Sequence, residues 1–139
     1  MAASFVINRT VEFSDTDMAG IAHFSRFFCW MEAAEHAFLR SLGLSVTMEW
    51  EGRRISFPRV SASADFLKPV RFEDVVTIAV SVARIGRSSV TYSFELTLRD
   101  EPVARGKIVS VCCQVLGEGK IEGTEIPSGI RSLLQSARS

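Results

Sequence analysis

Val11-Glu12-Phe13-Ser14-Asp15-Thr16-Asp17-Met18-Ala19-Gly20-Ile21-Ala22-His23-Phe24 carries the chain from a strand-like run to the start of a long helix, with two carboxylates in the passage between them. Upstream, Phe5-Val6-Ile7-Asn8-Arg9-Thr10-Val11-Glu12-Phe13 alternates in the manner of a strand. Ser14 to Gly20 is rich in turn formers. Downstream, from Ser25 to Leu42, the residues Phe28, Met31, Glu35, Phe38 and Leu42 recur three or four apart, with Phe24, Phe27 and Ala34 beside them. That spacing predicts a helix with one broad apolar face. Arg40 falls in its last turn and Gly43 follows as a C-cap, so the helix spans about 18 residues, or five turns. A carboxylate placed just before such a helix can face one substrate atom together with the helix's unpaired N–H groups.

Beyond the helix the period changes. Trp50-Glu51-Gly52 reads as a connector. Four strand-like runs then follow: Ile55 to Leu67, ended by Lys68-Pro69; Asp74 to Ile85, closed by Gly86-Arg87-Ser88; Ser89 to Arg99, turned by Asp100-Glu101-Pro102; and Val103 to Leu116. Short connections make these an antiparallel meander in simple sequence order, with the N-terminal strand as a fifth member. Gly117-Glu118-Gly119-Lys120 is a further turn, and Pro127 to Ala137 a short terminal helix. No repeat or interdomain linker divides the chain, so residues 1–139 are expected to form a single domain. One helix in front of a long antiparallel sheet is an α+β plan, in which a twisted sheet curls around the apolar helix.

Composition narrows the partners. The chain has 139 residues, 47% of them hydrophobic, more than a domain of this size usually buries alone, and pairing the open sheet edge with a second copy would use the surplus. Sixteen basic and sixteen acidic side chains cancel, which argues against a nucleic-acid partner. No apolar run reaches the roughly 20 residues of a membrane span, and no basic region followed by an apolar core opens the sequence, so a cytoplasmic protein is expected. Cys29, Cys112 and Cys113 lack both metal-ligand and disulfide spacing and are expected to be buried thiols, with no metal site.

The segment Asp15-Thr16-Asp17-Met18-Ala19-Gly20-Ile21-Ala22-His23-Phe24 resembles the Asp-x-Asp-x-x-Gly-x-x-aromatic/His segment of the 4-hydroxybenzoyl-CoA thioesterase family of hotdog-fold proteins, which includes the acyl-CoA thioesterases associated with the bacterial Tol-Pal cluster. Asp65-Phe66 leading to Lys68-Pro69 and Arg71 resembles the family's strand after the helix. Gly86-Arg87-Ser88-Ser89-Val90 resembles one of its strand turns. The resemblance covers most of the chain. It implies a hotdog fold in which a five-stranded antiparallel sheet wraps the helix, and a homodimer with two equivalent active sites at the interface, in some members assembled further into tetramers. The family's catalytic aspartate maps onto Asp17, and its oxyanion-stabilising backbone N–H onto Phe24 or its immediate neighbours.

Thioester hydrolysis can proceed with one carboxylate and one oxyanion site, without a metal or cofactor, CoA being part of the substrate. Asp17 would attack the carbonyl or draw a proton from water. Gly20 would let acyl chain or backbone come close, or serve as a turn glycine. Asp15 reads as a local structural residue. His23 stands beside the site and could donate to the thioester carbonyl. Glu32 and Glu35, three apart on the helix, share a face and offer a competing carboxylate pair, although the His-Gly-Gly segment that accompanies a helix-borne acid in another hotdog subgroup is missing. CoA phosphates call for cations, and Arg84 and Arg87 with Ser88 at one turn, Lys68 and Arg71 around Pro69, and more weakly Arg59, are the candidates. Phe24, Phe27, Phe28, Trp30 and Phe57 supply aromatic bulk for an acyl pocket or for the core. Two other readings compete: hydrolysis of acyl groups on acyl carrier protein, and a non-catalytic acyl-CoA-binding module. The histidine signature of hotdog hydratases is missing, His23 and His36 being the only histidines.

Overall fold

The computed structural model describes residues 4–138. Strand β1 (Phe5–Thr10) leads through a 3-10 turn (Phe13–Asp15) to helix α1 (Phe24–Ser41). Then come β2 (Thr47–Trp50), β3 (Arg53–Ser56), β4 (Arg59–Phe66), β5 (Val75–Ile85), β6 (Ser89–Leu98), β7 (Glu101–Val111), β8 (Cys113–Gly117), β9 (Lys120–Gly123) and helix α2 (Ser128–Ser136). A five-stranded antiparallel sheet in the order β1-β5-β6-β7-β4 curves around α1, and a four-stranded sheet, β2-β3-β8-β9, extends from it.

The wrapped helix is the expected one, shifted by one residue at each end. Its buried stripe is Phe27, Trp30, Met31, Ala34, Glu35, Phe38 and Leu39, spaced by three and four as a core-facing helix requires. Phe24 is exposed, and Phe28 and Leu42 are only partly buried, so the apolar face is turned slightly from the one anticipated. Against it the sheet presents every second residue: Val76, Ile78, Val80 and Val82 from β5, and Val90, Tyr92, Phe94 and Leu96 from β6. Each large side chain of this kind contributes about 1.5–3 kcal/mol when taken out of water. Gly106 on β7 lets the helix come this close, because a Cβ there would stand 2.2 Å from Met31 Sδ.

Five expectations are corrected. The run from Ile55 to Leu67 is two strands, because Pro58 has no N–H to offer a ladder. The run from Val103 to Leu116 breaks at Cys112, whose N–H donates to Ser88 O (2.6 Å) as the chain leaves the first sheet for the second. The turn after β6 is Arg99-Asp100, both at positive φ (49° and 67°), and Pro102 lies in the strand that follows. The meander is limited to β5, β6 and β7: β1 already occupies the free side of β5, from Phe5 opposite Val80 to Thr10 opposite Val75, so β4 crosses to the far edge beside β7. Trp50-Glu51-Gly52, read as a connector, is the turn of the β2–β3 hairpin. Among the described residues no helix is long and apolar enough to cross a membrane.

The crossing of β4 matters for function. Its connection to β5 passes the N-terminus of α1, where Val70 is buried and its carbonyl accepts the Ala22 N–H (2.8 Å).

Candidate active site

The turn that carries Asp17 is pinned from both sides. Asp15 is buried and closes the 3-10 turn by accepting the Glu12 N–H at Oδ2 (2.8 Å), while its Oδ1 lies 3.5 Å from Arg26 Nε on α1. Its carbonyl takes the His23 N–H (2.8 Å). Asp15 is therefore the structural carboxylate of the pair. Asp17 sits at the head of a tight loop: its N–H donates to Ile21 O and its carbonyl accepts from Gly20 N–H, each at 2.9 Å. Its Oδ1 accepts the Ala19 N–H (2.8 Å), which fixes the carboxylate's direction, and Oδ2 has no partner among the described residues.

Helix α1 begins one step later. His23 is its N-cap, with Nδ1 accepting from the Ser25 N–H (3.3 Å) and lying 2.8 Å from Ser25 Oγ. The Arg26 N–H goes to His23 O (2.9 Å). The Phe24 N–H is left without an acceptor among the described residues, an orphan donor at the positive end of the helix dipole. Asp17, His23 and Phe24 line one cavity of about 510 Å³, together with Ile21, Ala22, Phe27, Phe66, Leu67, Lys68 and Pro69.

Of the predicted residues, Asp17, His23, Phe24 and Lys68 thus converge on one cavity. The Lys68 ammonium is also hydrogen-bonded to Glu101, which holds that carboxyl below its ordinary value. Gly20 has φ +79°, which the turn conformation requires of it, and no protein atom approaches the place where a Cβ would stand. Arg71 lies on the exposed loop beyond Pro69, outside the cavity lining. Arg84, Arg87 and Ser88 are not brought to Asp17. They sit at the opposite end of the eleven-residue β5, roughly 30 Å away at strand rise, where Arg87 and Ser88 line a separate polar cleft with Glu125. Arg131 of α2 steadies that turn by donating to the carbonyls of Gly86 (2.7 Å) and Arg87 (2.9 Å).

Glu32 and Glu35 do not form a carboxylate pair, because a guanidinium stands between them. Arg59 turns inward from β4 and donates through Nη2 to Glu35 Oε1 (3.0 Å), with Nη1 3.3 Å from Glu32 Oε2 and Nη2 also 3.0 Å from His36 Nε2. Arg59 is thereby withdrawn from the CoA candidates. Glu35 is fully buried and its Oε2 is unpartnered. Burial pushes its carboxyl above the ordinary value against the pull of Arg59, and burial likewise raises the Tyr92 phenol nearby. Cys112 and Cys113 are buried as expected, the former with its thiol raised to about 11 by burial, but Cys29 is exposed.

Phe66 is the cavity residue that sequence reasoning passed over. Its ring lies edge-on to Phe27 (5.2 Å) and to Phe24 and Phe28 (6.3 Å each). The alternation of β4 made it look like an ordinary inward strand residue, yet it remains 46% exposed because β4 is an edge strand. Its position just before Lys68-Pro69 was the available signal. Of the other aromatics, Phe27 both fills core and lines the cavity, while Trp30 and Phe57 are core alone.

A single long helix wrapped by an antiparallel sheet, with an aspartate turn and an open N–H meeting at the helix start, defines a hotdog-fold α+β domain of the thioester-hydrolase class. Residues 19–105 match the model of the thioesterase superfamily, and the chain belongs to that family. It is 30% identical over 135 residues to the 1,4-dihydroxy-2-naphthoyl-CoA hydrolase of Nostoc punctiforme, spanning 97% of this chain and 89% of that one. Among solved structures it resembles a hypothetical protein from Thermus thermophilus (27% identity, TM-score 0.83, covering 96% and 98% of the two chains). It also resembles a gentisyl-coenzyme A thioesterase (28% identity, TM-score 0.78, covering 91% and 99%).

Proposed function

We propose that this protein hydrolyses acyl-CoA thioesters with an aryl acyl group, using Asp17 and the Phe24 N–H as its catalytic pair. The observation that carries the proposal is their meeting on one cavity: a half-fixed carboxylate and an unpartnered helix N–H, flanked by Phe24, Phe27 and Phe66. At about 510 Å³ the cavity has the size of a small-molecule site. The aryl preference draws on those rings and on the dihydroxynaphthoyl and gentisyl groups in the names of two similar proteins.

The thioester carbonyl would lie with its oxygen toward the Phe24 N–H. As the carbonyl carbon becomes tetrahedral, the charge growing on that oxygen is met by the donor and the helix dipole, and losing one such donor costs about 2.7–4 kcal/mol in measured enzymes. Asp17 Oδ2 either takes the proton of an attacking water or attacks the carbon itself to form a mixed anhydride that water then opens. In both routes the C–S bond breaks, CoA leaves as the thiolate and takes up a proton, and the carboxylic acid is released.

A second copy would complete the substrate site. The outer edge of β4 is unpaired, with Val60 63% and Phe66 46% exposed, an arrangement that invites pairing. Arg59 pairs with Ser110, which also pairs with Val90, so the Arg59 end of β4 lies at the same end of the sheet as the Arg87-Ser88 turn. Antiparallel pairing of β4 with its copy across a two-fold axis would set one protomer's Phe66 and Lys68 beside the other's Arg59 end. The partner copy's Arg84, Arg87 and Ser88 would then serve the CoA phosphates from across the dimer, with Lys68 and Arg71 at the mouth.

The test is thiol release from a panel of aryl and aliphatic acyl-CoAs by the wild type and an Asp17→Asn variant of matched fold and oligomeric state. Aryl-CoA turnover that collapses in the variant is expected. Turnover surviving in Asp17→Asn, or confined to acyl groups on carrier protein, would overturn the assignment.

A further inference from the structure

We propose that Phe66 is the end wall of the acyl cavity and sets the acyl specificity of the site, so that a single aryl ring is accepted and a long aliphatic chain is refused. The inference rests on the aryl thioesterase reading above and deepens it by naming the residue that limits the acyl group.

Helix α1 and strand β4 run past each other in opposite directions, with open space between them at two places. At the first, Phe24 and Phe27 of α1 and Phe66 of β4 line the cavity of about 510 Å³ that holds Asp17. At the second, Phe28, Cys29 and Glu32 of α1 and Ala62 and Arg59 of β4, together with Ile108 of β7, line a cavity of about 200 Å³. The Arg59–Glu32 ion pair (3.3 Å) stands at that far end. Of the two cavities, only the first is lined by the aspartate.

Periodicity sets both cavities on one line. Phe24 and Phe28 are four apart on the helix, about 6 Å along its axis, and the first ring lines one cavity while the second lines the other. On β4 the residues Ala62, Ala64 and Phe66 alternate onto one face, so two methyl groups are followed by a ring. That ring stands at the boundary. It lies edge-on to Phe27 (5.2 Å, 69°), to Phe24 (6.3 Å, 73°) and to Phe28 (6.3 Å, 82°). Phe66 therefore lines the first cavity and touches the ring that lines the second, and the Phe66–Phe28 contact is the partition between them. Edge-to-face packing is a favoured arrangement of aromatic pairs, and three such contacts hold the wall in place although Phe66 is 46% exposed.

The consequence is an acyl site of fixed length. A flat ring fills the first cavity against the phenylalanines, whereas an extended chain has to continue past Phe66 and is blocked there. With a methyl group at position 66 the two cavities would join into one groove, ended by Arg59 and Glu32. The partition is built within one protomer, so a second copy paired along the open edge of β4 would cover the groove without replacing its wall.

The experiment measures, by calorimetry, Kd for two non-hydrolysable thioethers, S-benzyl-CoA and S-decyl-CoA, and in parallel kcat/KM for benzoyl-CoA and decanoyl-CoA. The proteins are the wild type, Phe66→Ala, and Phe66→Ala combined with Cys29→Phe. The wild type should favour the aryl member of each pair. Phe66→Ala should move the ratio toward the decyl chain by about tenfold to a hundredfold, the scale on which hydrophobic pockets discriminate. The double variant, whose new ring refills the second cavity, should lose most of that shift. Phe66→Leu keeps a smaller wall and should give an intermediate ratio, which judges the proposal should the alanine variant fail to fold. A ratio unmoved in Phe66→Ala, a wild type that already favours the decyl chain, or a double variant that retains the full shift would overturn the wall. Thioether binding in the expected order without turnover of either thioester would count against the hydrolase reading and leave the wall standing, while failure to bind either thioether would overturn both.

Discussion

Asp17 and Glu35 are carboxylates eighteen positions apart that the fold treats in opposite ways. Asp17 is exposed on a turn, with one oxygen held by the Ala19 N–H and the other free beside a cavity and an open helix N–H. Glu35 is 0% exposed in the middle of α1, with one oxygen gripped by Arg59 and the other facing no partner. A carboxylate serves chemistry when part of it is fixed and part of it can reach substrate. Glu35 has the fixing without the reach, and its charge is a cost that the guanidinium only partly offsets. Both acids invited a catalytic reading from sequence, and what separates them is access, which the spacing of residues does not reveal.

The contrast can be broken most directly at the carboxylate proposed to be catalytic. Asp17→Asn keeps the size and the Asx-type acceptor of the turn and removes the charge, so kcat should fall by about 10²–10⁴-fold, the usual range for a general base, while the thermal midpoint stays near that of the wild type. Glu35→Gln should spare kcat by comparison. Comparable losses of kcat in the two variants would erase the distinction. Single-turnover hydrolysis in ¹⁸O water sharpens it further, because label found in the Asp17 carboxylate marks the nucleophilic route, whereas label found only in the product acid fits both general-base attack and an anhydride opened at the acyl carbon.

At the buried centre the expected effect is on stability. Arg59→Met removes the cation while leaving Glu35 enclosed, and breaking a buried pair in this way typically costs about 3–5 kcal/mol, to be read from urea unfolding. A loss below about 1 kcal/mol, the worth of an exposed pair, would mean that Glu35 is hydrated after all. The pH dependence follows from the direction of its titration. Burial, the largest influence, raises the folded-state value above the ordinary 4.5. The fold therefore favours the protonated acid: its contribution is fully present below the unfolded value and is lost as pH rises through the higher folded one. Unfolding free energies measured on both sides of that window should show Glu35→Gln gaining on the wild type as pH increases. A difference that runs the other way would place the Arg59 attraction above the desolvation, and a constant one would mean that the two balance.

The same contrast explains what could be read from the chain beforehand. Helix α1 was legible to within a residue because its stripe repeats over five turns, and β5 and β6 because alternation between turn residues leaves few other structures. The break at Pro58 was signalled by the proline itself, but Cys112 carries no such mark: its departure from the sheet depends on the Ser88 carbonyl, remote in sequence. Strand order was not legible, since the place of β4 depends on β1 having taken the side of β5. That Asp17 and Phe24 come to one cavity could be anticipated because both lie within one local segment. Arg84, Arg87 and Ser88 belong to the far end of the sheet, and only the geometry of a second copy would reunite them with it. Gly106 under Met31 left no pattern in the sequence that distinguishes a close helix approach from an ordinary strand glycine.

The smallest effect tests the backbone of the Asp17 turn. Gly20 adopts φ +79°, a left-handed conformation that costs a residue with a Cβ about 1–2 kcal/mol, and its N–H closes the loop onto Asp17 O (2.9 Å). No atom among the described residues stands within 4 Å of where a Cβ would go. Gly20→Ala should therefore lower stability by about 1–2 kcal/mol through strain alone, with the loop kept and KM for a small aryl thioester nearly unchanged. Should KM rise strongly while stability holds, the open space beside Gly20 is occupied by substrate, and the acyl-CoA would run past the outer side of the turn. That result would move Gly20 from the scaffold of Asp17 to the wall of the site, and it would show that the accessible carboxylate is approached over its own loop.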